Sequence, residues 1–322
     1  MADVGHLVER ARQGDARAVA RLISLVEDAS PSLREAMAAL MPYGGKAAVV
    51  GVTGAPGVGK STSTSALVTG YRARGARVGV LAVDPSSPFS GGALLGDRVR
   101  MQEHALDRNV YIRSMASRGH LGGLAWATPQ ALRVLDAAGC DVILVETVGV
   151  GQSEVEVAGL ADTTLVMLAP GMGDGIQAAK AGILEIGDIY LINKADRDGA
   201  DQVRRDLRSM LALADRPGGA WRPPIIKTVA ARAEGVPDVV SKLQEHLTWM
   251  RGNGELTRRR TRRARDEIET IAVTAMRSRF ADVHGDERLD DLANSVVERR
   301  FDPFTAADSL VESLQTGAKS LR

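Results

Sequence analysis

Residues 47–53, AAVVGVT, form a short apolar run that leads directly into GAPGVGKST at 54–62, with helix-forming sequence behind it. A buried strand, a glycine-rich turn and a helix in that order build a cradle for phosphate groups. Gly54, Gly59, Lys60 and Ser61 occupy the fixed positions of the G-x-x-x-x-G-K-[ST] pattern, with Ala55, Pro56, Gly57 and Val58 between them and Thr62 after. The glycines let backbone N–H groups wrap the phosphates, and the helix adds its positive end. Lys60 would neutralise charge on the β and γ groups, and the Ser61 hydroxyl is a ligand for Mg²⁺.

Such a cradle sits on a parallel sheet, and the rest of the chain supplies one. Strand candidates recur as RVGVLAVD, NVYIRSM, DVILVETVG, TTLVMLAPG, IYLINKAD and PPIIKTVA, alternating with amphipathic segments. Several are apolar on both faces, as strands buried between two helix layers must be. Helices are expected to open at Ser30-Pro31 and at Thr128-Pro129, where a capping hydroxyl precedes a proline suited to a first turn. The expected fold class is therefore α/β, a P-loop NTPase with a doubly wound, mostly parallel sheet. Three regions are expected: N-terminal helices over 1–45, a nucleotide domain over 46–252 and a C-terminal helical arm over 253–322. In the arm, the arginine cluster 258–265 lacks interleaved aromatics and is followed by acids. It reads as a solvated or salt-bridged helix face rather than a nucleic-acid surface. A tail this thin is expected to pack on its own domain or on a second copy.

Bulk properties exclude several function classes. Net charge is only +1 over 322 residues, so no global field favours nucleic acid or an acidic membrane. Cys140 is the single cysteine, which fits a reducing cytoplasm. The first residues show no apolar leader core, and no apolar run approaches the ~20 residues of a membrane span. A soluble cytoplasmic protein is expected.

Metal and hydrolysis chemistry call for carboxylates near the cradle. Asp84 and Glu146 end apolar strands and Asp97 lies in the loop GGALLGDRVR. Strand-end carboxylates project into the crevice where ligands bind, and Mg²⁺ needs only one or two of them besides water. In ETVGVGQSE, Glu146 is followed by Gly149, placed so that its N–H could sense a γ-phosphate. The next residue is Val150, not the glutamine that orients water in Ras-like enzymes, and Gln152 is out of register. Slow hydrolysis by the isolated chain is expected, accelerated by a partner or by dimerisation.

Base choice is written in INKAD. Asn193, Lys194 and Asp196 form N-K-x-D. An aspartate accepts two hydrogen bonds, and guanine offers N1–H and N2–H₂ side by side, whereas adenine turns an acceptor toward it. The Lys194 stem would cover the purine plane and Asn193 would support the loop. Past the next strand, Val229, Ala230 and Ala231 stand where a serine-alanine pair is usual, so only backbone N–H groups could reach guanine O6. GTP and GDP, with Mg²⁺, are the expected ligands.

The order and spacing of GAPGVGKST, VDPSS, GGALLGDRVRM, RGHLGGL, ETVGVGQSE and NKAD resemble the MeaB/ArgK family of G-protein metallochaperones, which includes the human methylmalonic aciduria type A protein. The resemblance implies a homodimeric GTPase. It would bind methylmalonyl-CoA mutase or a related acyl-CoA mutase, gate the loading of adenosylcobalamin and protect the mutase from inactivation. The cobalamin adenosyltransferase is a further implied partner. Asp84, Asp97 and Glu146 match family positions around Mg²⁺ and the γ-phosphate. GMGDGIQAAKAG matches a shape-changing loop with Gly171, Gly173 and Gly175, and with Asp174 and Lys180 as its charged members. Arg118 and His120 lie in RGHLGGL, and His120 has no second histidine or cysteine at ligand spacing. Three other readings stay open: a kinase tied to amino-acid (LAO/AO) transport, a nickel-type metallochaperone and a GTP-dependent scaffold without catalysis.

Overall fold

The computed structural model describes residues 3–85, 101–117, 127–147, 153–171, 185–213, 218–281 and 287–317. All seven expected strands form: β1 (Ala48–Gly54), β2 (Val78–Pro85), β3 (Val110–Ser117), β4 (Val142–Thr147), β5 (Thr163–Leu168), β6 (Ile189–Ile192) and β7 (Ile225–Lys227). They make one sheet in the order β3-β2-β4-β1-β5-β6-β7, and every pairing is parallel. In β4, β5 and β6 each residue is buried, as helices on both faces require.

Three short N-terminal helices, α1 (Val4–Arg12), α2 (Ala16–Glu27) and α3 (Leu33–Leu40), cover one face together with α5 (Ala127–Ala137) and α6 (Ser153–Leu160). Asp3 and Asp15 cap α1 and α2, each accepting two backbone N–H groups from the first turn. The other face packs against α4 (Lys60–Arg72), which leaves the cradle, and α8 (Val236–Asn253). Helix α7 (Ala200–Ala212) covers β5 and β6 at one side. Two expected helix starts move. Helix α3 begins at Leu33, and the Ser30 hydroxyl accepts the Ser32 N–H ahead of it. Helix α5 is described from Ala127, so Thr128 is itself helical rather than a cap.

The long charged helix α9 (Glu255–Ala281) forms as expected, followed by α10 (Glu287–Val297) and α11 (Pro303–Gly317). The chain divides into two compact units, Met1–Ala264 and Arg265–Arg322. The first turns of α9 thus belong to the sheet's unit, and the arginine cluster shows why. Arg259 holds Asp188 with two bonds of 2.7 and 2.9 Å, and Arg260 holds Asp162 with bonds of 3.1 and 2.7 Å. Arg263 adds a contact to Asp162 at 3.2 Å. Asp162 is 1% exposed and also accepts the Val49 N–H of β1, while Asp188 accepts the Thr164 N–H. Of the two alternatives offered by the sequence, solvated or salt-bridged, these three arginines take the second, against buried partners at the strand ends remote from the cradle.

His246 lies beside this cluster, fully buried, with Nδ1 2.8 Å from Thr163 Oγ1 and its ring stacked on Trp249. Burial pushes its pKa down to about 4, against the opposing pull of Asp188. In the unfolded chain the ring titrates near its ordinary value of about 6.5. The unfolded state therefore binds more protons between those values, and stability falls as pH drops from about 6.5 toward 4. The expected slope is at most about 1.4 kcal/mol per pH unit. Urea unfolding at pH 7.5, 6 and 5 should show that decline in the native chain and a shallower one in His246→Gln; parallel curves would refute it.

Candidate nucleotide site

The carboxyl ends of four adjacent strands, β4, β1, β5 and β6, converge on one edge of the sheet, where ligands of doubly wound folds bind. Residues after β1 form the cradle. Gly54 has φ +144° and its Cα lies so close to the Met167 carbonyl of β5 that any Cβ would collide with it. Gly59, at φ +96°, precedes α4, and a Cβ there would strike the Asn193 side-chain amide. At both positions only glycine fits.

Lys60 is buried and bends back over the turn, donating to the carbonyls of Gly54 and Ala55. The Ser61 hydroxyl donates to Glu146 Oε1 at 2.6 Å. Glu146 is 1% exposed at the end of β4, next to the cradle. Two buried oxygen donors from β4 and α4 thus meet at the mouth of the turn, the hard-oxygen chemistry that suits Mg²⁺. Asp84 lies near the end of β2, two residues beyond the Ala82 that pairs with Glu146 and one beyond the Val83 that pairs with Thr147; its side chain is outside the described residues. Asp97, Arg118, His120, Gly149, Val150, Gln152, Gly173, Asp174, Gly175 and Lys180 also lie outside the described residues.

At the other end of the site, Asn193 does more than support its own loop. Its Nδ2 donates to the Val58 carbonyl at 2.9 Å, and its Oδ1 accepts the Ala230 N–H at 3.1 Å and the Thr228 hydroxyl at 3.3 Å. One buried amide therefore joins the phosphate turn, the N-K-x-D segment and the loop after β7. Lys194 adopts φ +56°, a conformation that costs a side-chain residue energy. There its Nζ reaches the Gly57 carbonyl at 2.6 Å, so the stem crosses between the two loops. Asp196 stays accessible, 39% exposed along its side chain, with Arg232 of the loop after β7 3.4 Å away. Val229 donates its N–H to Glu234 and Ala230 donates to Asn193.

The arrangement brings together Lys60, Ser61 and Glu146 at one end and Asn193, Lys194, Asp196 and Ala230 at the other. Sequence reasoning missed Thr228 and Arg232. Thr228 had a signal, since it is the residue that leaves β7 toward the base loop. Arg232 had none, because its neighbour Asp196 is 36 residues distant.

Comparisons with known proteins find GTPases of similar sequence and a solved structure of similar fold. A family model described as methylmalonyl Co-A mutase-associated GTPase MeaB matches residues 19–284. A Pyrococcus abyssi protein described as a GTPase is 45% identical over 99% of each chain. The GTPase ArgK of Escherichia coli is 33% identical over 98% of each. Among solved structures, one described as a LAO/AO transport system kinase superposes with a TM-score of 0.72 at 27% identity, covering 98% of both chains.

Proposed function

Because the chain belongs to the MeaB family of mutase-associated GTPases, we propose that it spends GTP binding and hydrolysis on an adenosylcobalamin-dependent acyl-CoA mutase. In this reading it gates cofactor loading and protects the mutase, methylmalonyl-CoA mutase being the expected client. That the chain is a GTPase follows from the family and its relatives. The partner rests on the family match through residues 19–284. A mouse relative, 36% identical over 83% of this chain, is named methylmalonic aciduria type A homolog.

The roles assigned to residues follow from the site. Asp196 accepts the two guanine donors, Asn193 sets the loop that carries it, and the Lys194 stem flanks the purine. Since the amides of Val229 and Ala230 are engaged within the protein, the contact to O6 falls to Ala231. Backbone N–H groups of the 54–62 turn and Lys60 hold the phosphates. Ser61 and Glu146 are the oxygen donors that fit Mg²⁺, with Asp84 and Asp97 as further candidates. The ion would neutralise charge on the departing phosphate. Gly149 is assigned the γ-phosphate contact. Exposed Ile268 and Met276 on α9 and Phe304 on α11 support a homodimer through the C-terminal helices.

The test mixes purified chain with apo- and holo-mutase under GTP, GDP or no nucleotide, and follows hydrolysis and cobalamin transfer together. Slow turnover alone that accelerates with mutase, and transfer that needs GTP, are expected. No change in either rate would remove the chaperone role and leave the GTPase. Within the site, Glu146→Gln removes charge without changing shape. Its half-saturating Mg²⁺ for hydrolysis is expected to rise at least about tenfold, since a charged ligand is worth well over 1.4 kcal/mol. GDP binding in EDTA should stay near native. An unchanged Mg²⁺ titration would take Glu146 out of the metal site.

A further inference from the structure

Strand β3 is the end of the sheet, and among the described residues no strand pairs with its outer edge. The Val78 N–H bonds the Asn109 carbonyl, so in a parallel ladder residues 109, 111 and 113 turn their backbone groups toward β2. Val110, Ile112 and Ser114 turn theirs outward. The Val110 N–H is used by the Asp107 carbonyl. What remains without a partner among the described residues is an evenly spaced row of backbone donors and acceptors at Ile112 and Ser114. Proteins normally cover or charge such a row.

Along this edge runs a groove of about 400 Å³. It is lined by Val110 and Ile112 of the strand, by Ala16, Val19 and Ala20 of α2, and by Ala105. The three alanines among the lining residues leave room for a backbone to approach the edge. Two buried polar atoms of the strand, Tyr111 Oη and Ser114 Oγ, have no hydrogen-bond partner among the described residues. The surroundings are basic. Asp15, Glu27 and Asp107 are paired with Arg10, Arg113 and Arg72, which leaves Glu103, bonded by the Ser65 hydroxyl, as an acid without an arginine among the described residues. Arg17, Arg21 and Arg108 are exposed beside the groove residues and enter no ion pair among the described residues.

We propose that this edge receives an extended acidic segment of a partner protein, which adds as a further strand beside β3. Backbone bonds at Ile112 and Ser114 supply affinity, and small alternating side chains enter the groove. Acidic residues meet Arg17, Arg21 and Arg108, which sets the charge of the partner.

The probe is a nine-residue capped peptide alternating valine with glutamate, compared with one alternating valine with threonine. Binding to the full chain is followed by fluorescence anisotropy, and amide exchange is read residue by residue. In the free chain the Ile112 and Ser114 amides should exchange at least tenfold faster than those of Tyr111 and Arg113. Saturating acidic peptide should slow both at least tenfold. Ala20→Trp and Ala105→Trp fill the groove and should weaken the peptide tenfold or more with the GTPase rate unchanged. Should either fail to fold, the surface pair Arg21→Glu and Arg108→Glu should weaken it to a similar extent. Added salt should weaken binding of the acidic peptide. Equal affinity for the threonine peptide, no binding at millimolar peptide, or affinity untouched by these variants would overturn the proposal. So would Ile112 and Ser114 amides already protected in the free chain. Protection that tracks chain concentration would give the edge to a second copy instead.

Discussion

Replacing Asp196 by asparagine is expected to move the site from guanine to xanthine nucleotides. A carboxylate presents two acceptors, which match the adjacent N1–H and N2–H₂ of guanine. An asparagine presents one acceptor and one donor, which match the N1–H and O2 of xanthine. Each charge-assisted bond is worth about 1.5–3 kcal/mol, and a mismatched donor pair adds a desolvation cost. GDP affinity should therefore fall at least about 100-fold, while XDP affinity rises above that for GDP. The fold should tolerate the change, since Asp196 is partly exposed and its contact with Arg232 is a long 3.4 Å; exposed pairs contribute little. Titrating both diphosphates against native and variant chains decides it. GDP binding equal to native would remove Asp196 from base recognition.

Cutting the chain at residue 252 is expected to be far more damaging than cutting it at 264. The shorter fragment loses Arg259, Arg260 and Arg263, and with them the counter-charges of Asp162 and Asp188. Asp162 is 1% exposed with α9 in place, and in the shorter fragment it keeps the Val49 N–H but neither arginine. Stranding one member of a buried pair costs roughly 3–5 kcal/mol, against a total stability of about 5–15 kcal/mol for a typical protein. Fragment 1–252 should be largely insoluble or partly unfolded, whereas 1–264 should unfold cooperatively in urea. In the full chain, Arg260→Met should lower stability by about 3 kcal/mol. Restoring Asp162 to neutrality with Asp162→Asn should recover part of that loss in the double variant. Equal midpoints for the two fragments would return the natural boundary to residue 252.

Those two cases also mark what could be read from the sequence. The sheet was legible because each buried parallel strand carries its own signature, an apolar stretch such as VILVE or TTLVML closed by a turn. Cradle and N-K-x-D were legible for a related reason: their chemistry is local, a few residues bound to the backbone around them. Helix starts were less so. Ser30-Pro31 and Thr128-Pro129 have the right residue types, but where a helix begins depends on the packing behind it. The arginines were ambiguous because their partners are distant. Asp162 is 98 residues from Arg260 and Asp188 is 71 from Arg259. Nothing near either end says that the other exists. The same distance hid the second task of Asn193, whose bonds to Val58 and Ala230 span 135 and 37 residues.

That side chain sets a ruler. By bonding Val58 on one side and Ala230 on the other, Asn193 fixes how far the phosphate turn lies from the loop after β7, which is the base pocket in the proposed function. A nucleotide then meets two half-sites already spaced for one molecule, and the second half is engaged as an intramolecular event rather than a fresh encounter. Guanosine or pyrophosphate alone gains nothing from that spacing. Discrimination in this site is therefore partly a measurement of length, made by a residue that need not touch either end of the ligand.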